Sequence, residues 1–291
     1  MRVDRTIAAK DAVTGQADGT LPRWRSAMRP QGLGRIAPFV PTGKRQPVFL
    51  LHIPRCGAGS MARFLERIYQ PEGMVRAAED RLDRIFDGQD APIRTDCVVG
   101  QLPLVRWLHF AGAGDYARVT VLRNPWARMV SQINHLAALG PEAAGPVGSS
   151  QRALAEEVAR ADFTSRAGLE RFCNRLRLID VSFDNLQVRM LVTGTMSALV
   201  KQITSRDVET ALRELERFAV VGFCEEQMDM QRALVRVTGI SVPVGAVFEG
   251  AGRGAALSLR NTLAREALTP LYELDQELYA RARQLVVARQ G

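Results

Sequence analysis

Cysteine and histidine are scarce in this chain, with four and three copies in 291 residues. Cys56, Cys97, Cys173 and Cys224 lie far apart and form no CxxC pair and no Cys/His cluster. That spacing argues against a disulfide scaffold and against a zinc or other metal site, and it points to a reducing, cytoplasmic setting. Aromatic residues make up only 6% of the chain, and no run of about 18 uncharged apolar residues occurs, so no transmembrane segment is expected. With 46% hydrophobic residues, a chain of this length can still bury one substantial core.

Net charge is +8, but it is unevenly spread: residues 1–45 carry nine Lys or Arg against three Asp, a net +6, which leaves +2 for the remainder. A nucleic-acid-binding surface would place its basic residues on the folded domain, often with aromatics between them, so a nucleic-acid partner is not expected. Residues 1–45 read as a flexible basic N-terminal tail, with an organelle presequence or an acid-binding arm as the alternatives. Residues 46–291 read as a single domain.

Four short apolar, β-branched runs have the character of buried parallel strands: Val48 to Ile53, Cys97 to Leu102, Val119 to Leu122 and Phe218 to Phe223. Helical patterns separate them. Met61, Phe64, Leu65 and Ile68 form one apolar stripe after the first run, and Met129, Val130, Ile133 and Leu136 form another after the third. Later segments are mostly helical, at about 151–177, 185–193, 205–217, 225–238 and 258–288. The alternation predicts an α/β fold: a three-layer parallel sheet flanked by helices, with a helical C-terminal half.

Two strand-to-helix junctions, about seventy residues apart, carry anion-binding chemistry. The first is Arg55-Cys56-Gly57-Ala58-Gly59-Ser60-Met61, where a helix starting directly after a strand offers free amides and the positive end of its dipole to a phosphate or sulfate. Small residues let the backbone curl round an anion, Ser60 can cap the helix or bind the ligand, and Arg55 adds a permanent charge. No Gly-Lys-Ser/Thr follows the glycines, so this is not a Walker A loop. A ligand-free Gly-rich turn is the alternative for this loop taken alone.

At the second junction Asn124 and Pro125 suit the N-cap and first position of a helix, which puts Arg123 at the carboxyl end of a strand. Ser131 follows eight residues later. By the 3.6-residue period Arg128, Ser131 and His135 share a sector of about 60°, opposite the apolar stripe. A solvated polar helix face is the alternative here.

Together these junctions resemble those of the sulfotransferase superfamily, in the branch of carbohydrate sulfotransferases that includes the heparan sulfate 2-O- and 6-O-enzymes and bacterial relatives. Phe49 to Ser60 is similar to that family's loop for the 5′-phosphosulfate of 3′-phosphoadenosine 5′-phosphosulfate (PAPS), and Val121 to Ser131 to its 3′-phosphate motif. Phe183 to Leu191, Phe218 to Glu225 and Leu271 to Tyr279 resemble later blocks, so the likeness runs in order over 46–288. It implies a P-loop-like nucleotide-binding architecture. It also implies PAPS as co-substrate without a metal, and a carbohydrate or other hydroxyl-bearing acceptor. PAPS would be held by Arg55, Cys56, Gly57, Ala58, Gly59, Ser60, Met61, Arg123 and Ser131.

The chain departs from the family at two places: Arg55 stands where Lys is usual, and Gly100-Gln101 replaces a Gly-His pair. Gln101 can orient an acceptor but cannot take its proton. Arg55, Gln101 and His109 are therefore the catalytic candidates, with the general base left open between the histidines and a carboxylate in 72–96 such as Glu79. Loops 138–150 and 243–257 are expected to select the acceptor. The competing readings are a protein of the same fold that binds PAPS or its bisphosphate product but transfers little, and a nucleotide-dependent kinase.

Overall fold

The computed structural model describes residues 46–290 apart from 92, 111, 141–148, 195–200 and 246–254. The expected tail at 1–45, most of the loop 138–150 and much of 243–257 lie outside the described residues.

Five parallel strands form one sheet in the order β2-β3-β1-β4-β5: β1 Val48–Leu51, β2 Met74–Val75, β3 Cys97–Gly100, β4 Ala117–Leu122 and β5 Val220–Phe223. Val48 pairs with Cys97 on one side and Ala117 on the other, which makes β1 the central strand. All four of its residues are buried, and alternate ones feed opposite faces. Phe49 and Leu51 pack with Trp107, Val188 and Leu212, whereas Val48 and Leu50 pack with Phe64, Leu65 and Leu234. Burial on both faces explains why the strands read as unbroken apolar runs rather than alternating ones. Phe49 stacks on Trp107 with ring centroids 3.9 Å apart, and truncating either ring would cost about 3–5 kcal/mol.

Helices α1 (Ala58–Tyr69) and α9 (Gln227–Thr238) cover one face. The other is covered by α2 (Ala78–Phe86), α3 (Leu104–Leu108), α7 (Leu186–Val192), α8 (Ser205–Leu215) and α11 (Glu273–Gln290). A separate helical cluster joins α4 (Pro125–Leu139), α5 (Ser149–Arg160), α6 (Arg166–Ile179) and α10 (Thr262–Ala267). Among the described residues, no helix is long and apolar enough to cross a membrane.

The α/β alternation and the helical C-terminal half agree with the sequence pattern, but two long helices are broken. The expected helix at 151–177 is interrupted after Arg160, where Asp162 accepts from the Thr164 amide at 2.9 Å and Ser165 caps α6 by accepting from Gly168 N at 3.1 Å. Local side-chain bonds of this kind compete with helix propagation. The expected helix at 258–288 breaks at a 3₁₀ turn, Thr269–Leu271, around Pro270, which cannot supply a helical N–H. The strand β2 and the helix α3 are elements that the sequence pattern did not predict.

The chain leaves β1 toward β2 and β3, and leaves β4 toward β5 on the opposite side. Neighbouring strands whose connections diverge in this way open a crevice at their carboxyl ends, the usual ligand position in open α/β sheets. Arg55 follows β1 and Arg123 follows β4, so both stand at that crevice.

Candidate functional site

The loop between β1 and α1 turns through two left-handed residues, Arg55 at φ 65° and Gly57 at φ 85°. Gly57 occupies the N-cap position, with Ser60 N and Met61 N donating to its carbonyl at 3.2 and 3.4 Å. Ser60 therefore does not cap the helix. Those bonds leave the amides of Gly57, Ala58 and Gly59 at the open helix end, where an anion can accept from them. Cys56, Ala58 and Met61 have buried side chains, so they contribute backbone and packing rather than side-chain chemistry. A Cβ on Gly57 would stand 2.8 Å from Cys224 Sγ, which shows how closely β5's end presses on the loop.

Across the crevice Asn124 caps α4 through its Oδ1, which accepts from Ala127 N at 3.1 Å, with Pro125 in the first helical position. This local chemistry fixes where Arg123 emerges. Arg123 Nη1 donates to the carbonyl of Arg55 at 2.9 Å, and Arg55 Nε donates to Ser131 Oγ at 3.2 Å. The two junctions thus touch each other directly.

They open onto a cleft of about 870 Å³ lined by Arg55, Gly57, Ser60, Arg123, Ser131 and His135, with Leu257 to Arg260 as its far wall. That wall is pinned to α4 by reciprocal bonds between the Asn134 side chain and the Leu257 backbone, at 2.8 and 2.9 Å. Among the described residues, Arg55, Arg123 and Arg260 line the cleft and no Asp or Glu does. Burial, and then the charge of Arg55, pull the His135 imidazole below its ordinary value, so the ring is neutral at physiological pH.

Arg128 corrects the expected polar sector on α4. Its side chain is fully buried, Nη2 donates to Ser182 O at 3.0 Å, and it lies beside Asp275 rather than in the cleft. The 60° between it and Ser131 is enough to aim it under the site instead of into it.

A second cavity, of about 360 Å³, meets the same first turn of α1 from the β3 side and is lined by His52, Gly59, Arg63, Glu79, Gly100 and Gln101, among others. The amide of Gln101 donates to Glu79 Oε2 at 2.8 Å. His109 lines neither cavity; it caps the end of α3, where its ring bonds the Val105 carbonyl.

No protein-family model, curated protein or solved structure matches this chain.

The site also rests on residues whose role no local sequence pattern disclosed. Gln187, fully buried in α7, links both junctions: its Oε1 accepts from Arg123 N at 3.0 Å and from Cys56 Sγ at 3.5 Å, and its Nε2 donates to Arg123 O at 3.0 Å. Asp275 in turn accepts from Gln187 N and Val188 N at 3.2 and 2.9 Å, with its carboxyl pushed up to about 6, chiefly by burial. The available signal was a polar residue, with Arg189 as the other, in the otherwise apolar run Leu186 to Leu191, where each demands a buried partner. Among the described residues, no group of three or more His, Cys, Asp or Glu is placed to hold a metal ion.

Proposed function

We propose that this chain is a PAPS-dependent sulfotransferase of P-loop-like architecture that acts on a hydroxyl group of a carbohydrate-type acceptor. The observation carrying this reading is the convergence of Arg55, Arg123 and Ser131, from two separate junctions, on one cleft that is lined, among the described residues, by three arginines and no carboxylate. Such a cleft suits a ligand with anionic groups at two points. PAPS, when bound, supplies the sulfuryl group and a bisphosphate leaving group.

The protein's own part is binding, orientation and charge. The amides of Gly57 to Gly59 hold the 5′-phosphosulfate at the helix end, where donors are already aimed and need no reorganisation. Arg123 and Ser131 take the 3′-phosphate and so distinguish this nucleotide from adenosine mono- or triphosphate. Arg55 faces charge that grows on the departing 5′-phosphate as transfer proceeds. A binder with little activity is the second reading, favoured by Gln101 in place of a histidine and by His109 lining neither cavity.

The test is selective thermal stabilisation followed by transfer. Adenosine 3′,5′-bisphosphate at 100 times its dissociation constant should stabilise the fold by about 2.7 kcal/mol, well beyond adenosine mono- or triphosphate at equal concentration. Labelled sulfate from PAPS should then appear on members of a glycan panel. Equal thermal shifts with all three nucleotides would remove the case for a 3′-phosphate site, and bisphosphate binding without transfer would favour the binder.

A further inference from the structure

Transfer to a hydroxyl needs a group to receive its proton, and the cationic cleft is poorly furnished with one. Arg55 and Arg123 are permanently charged donors, no lining residue among those described is a carboxylate, and His135 lies beyond Ser131 on α4. The first turn of α1, however, stands between two cavities. Gly57 and Ser60 line the cationic cleft, whereas Gly59 lines the second cavity together with His52, Glu79 and Gln101. In-line displacement requires acceptor and leaving group on opposite sides of the transferred group, and two cavities flanking one anion-binding helix end provide that separation.

Glu79 is positioned in the second cavity from two directions. Ala77, at the left-handed φ of 50°, starts α2 abruptly and sets Glu79 in its first turn. The Gln101 amide then fixes Oε2 at 2.8 Å, at the carboxyl end of β3 next to the central strand. Gly100 allows this approach, since any Cβ there would meet Leu102 Cδ2 at 2.2 Å, Ala78 Cβ at 3.1 Å and Glu79 Oε2 at 3.5 Å. One carboxylate oxygen is thereby anchored while the other is left to act. At about 360 Å³ the cavity falls at the small end of ligand sites, which run from roughly 300 to 1,000 Å³.

We infer that the second cavity seats the acceptor and that Glu79 is the catalytic base, an assignment that rests on the sulfuryl-transfer reading. Glu79 takes the acceptor's hydroxyl proton as the acceptor oxygen bonds to sulfur. The bond from sulfur to the 5′-phosphate oxygen breaks, and its electron pair leaves with adenosine 3′,5′-bisphosphate. Gln101 acts through Glu79, as a positioning residue whose backbone holds the carboxylate.

Glu79→Gln tests this cleanly, because the amide oxygen can still accept from Gln101 N while the proton acceptor is lost. Bisphosphate binding is measured by calorimetry, and turnover as labelled sulfate released from PAPS to a glycan panel and to water, which is always present as an acceptor. The expected result is unchanged bisphosphate affinity and melting temperature with turnover at least about 100-fold lower. Turnover of Glu79→Gln within about threefold of wild type, or loss confined to His52→Gln, overturns the assignment. So does a wild type that binds bisphosphate but releases no sulfate to any acceptor. A wild type that fails to bind bisphosphate sinks the underlying reading instead, and the base assignment with it.

Discussion

The side-chain amide of Gln187 grips Arg123 at both of its backbone polar groups, accepting from its N–H and donating to its carbonyl, each at 3.0 Å. Arg123 sits where β4 ends, so its backbone has left the sheet ladder and needs other partners. Gln187 supplies them and, through Cys56 Sγ, ties the same clamp to the first loop.

Replacing Gln187 with Leu keeps the volume but leaves both Arg123 backbone groups without their partner. The expected loss is about 1–3 kcal/mol of folding free energy for the unpaired buried groups. Bisphosphate affinity should fall as well, since Arg123 is no longer aimed. Denaturant titration and calorimetry of one preparation check both, and a variant as stable and as tight-binding as wild type would show the clamp to be incidental.

Gly57→Ala should be costly for two separable reasons. Its φ of 85° strains any L-residue by roughly 1–2 kcal/mol, and its new Cβ would sit 2.8 Å from Cys224 Sγ. Removing that sulfur in a Gly57→Ala, Cys224→Ala double variant should recover the steric part and leave the backbone strain. A double-mutant cycle measures this directly, and strictly additive effects would contradict the close contact.

Asp275 makes stability depend on pH in a defined direction. Burial raises its carboxyl from 3.8 to about 6, against the opposing pull of Arg128 and the amides of Val188 and Gln187. The folded state therefore holds this proton more tightly than the unfolded state does. Its stabilising contribution is complete below pH 3.8 and is lost as pH rises through about 6. Asp275→Asn removes the titration, so wild-type stability minus that of the variant should fall across this window. At about 1.4 kcal/mol per pKa unit the fall is on the order of 3 kcal/mol. A difference that rises with pH would contradict the assignment.

What the sequence disclosed about fold and site follows from how local each signal is. The strands β1, β3, β4 and β5 announce themselves as apolar β-branched runs, and the Asn124-Pro125 pair caps α4 by chemistry confined to four residues. The two-residue β2 is too short to carry a period, and α3, at five residues, spans little more than one turn. The direction of Arg128 is set by Ser182, 54 residues away, and the clamp on Arg123 by Gln187, 64 residues away. Such long-range partners leave no periodic trace. The Glu79 to Gln101 bond, spanning 22 residues, turned one of several acidic positions into a specific one.

The two arginines that meet at the cleft should divide the labour between rate and affinity. Arg55 reaches Ser131 through Nε, and Arg123 reaches the Arg55 carbonyl through Nη1. If Arg55 neutralises charge that appears on the departing phosphate, its contact is strongest in the transition state. Arg55→Ala should then lower turnover by about 10²–10³ while weakening bisphosphate binding far less. The 3′-phosphate keeps its charge throughout, so Arg123→Ala should act mainly on affinity, as uniform binding does. Because Arg123 also bonds the Arg55 carbonyl, its removal loosens the first loop too, and Ser131→Ala separates the two effects. That variant touches the 3′-phosphate site without releasing the loop backbone, although it removes the acceptor of Arg55 Nε, and should raise KM for PAPS with a smaller loss of kcat than Arg55→Ala. Steady-state kinetics with calorimetry on all three variants decides the matter. Indistinguishable profiles for Arg55→Ala and Arg123→Ala would mean that the pair acts as one undivided anion site.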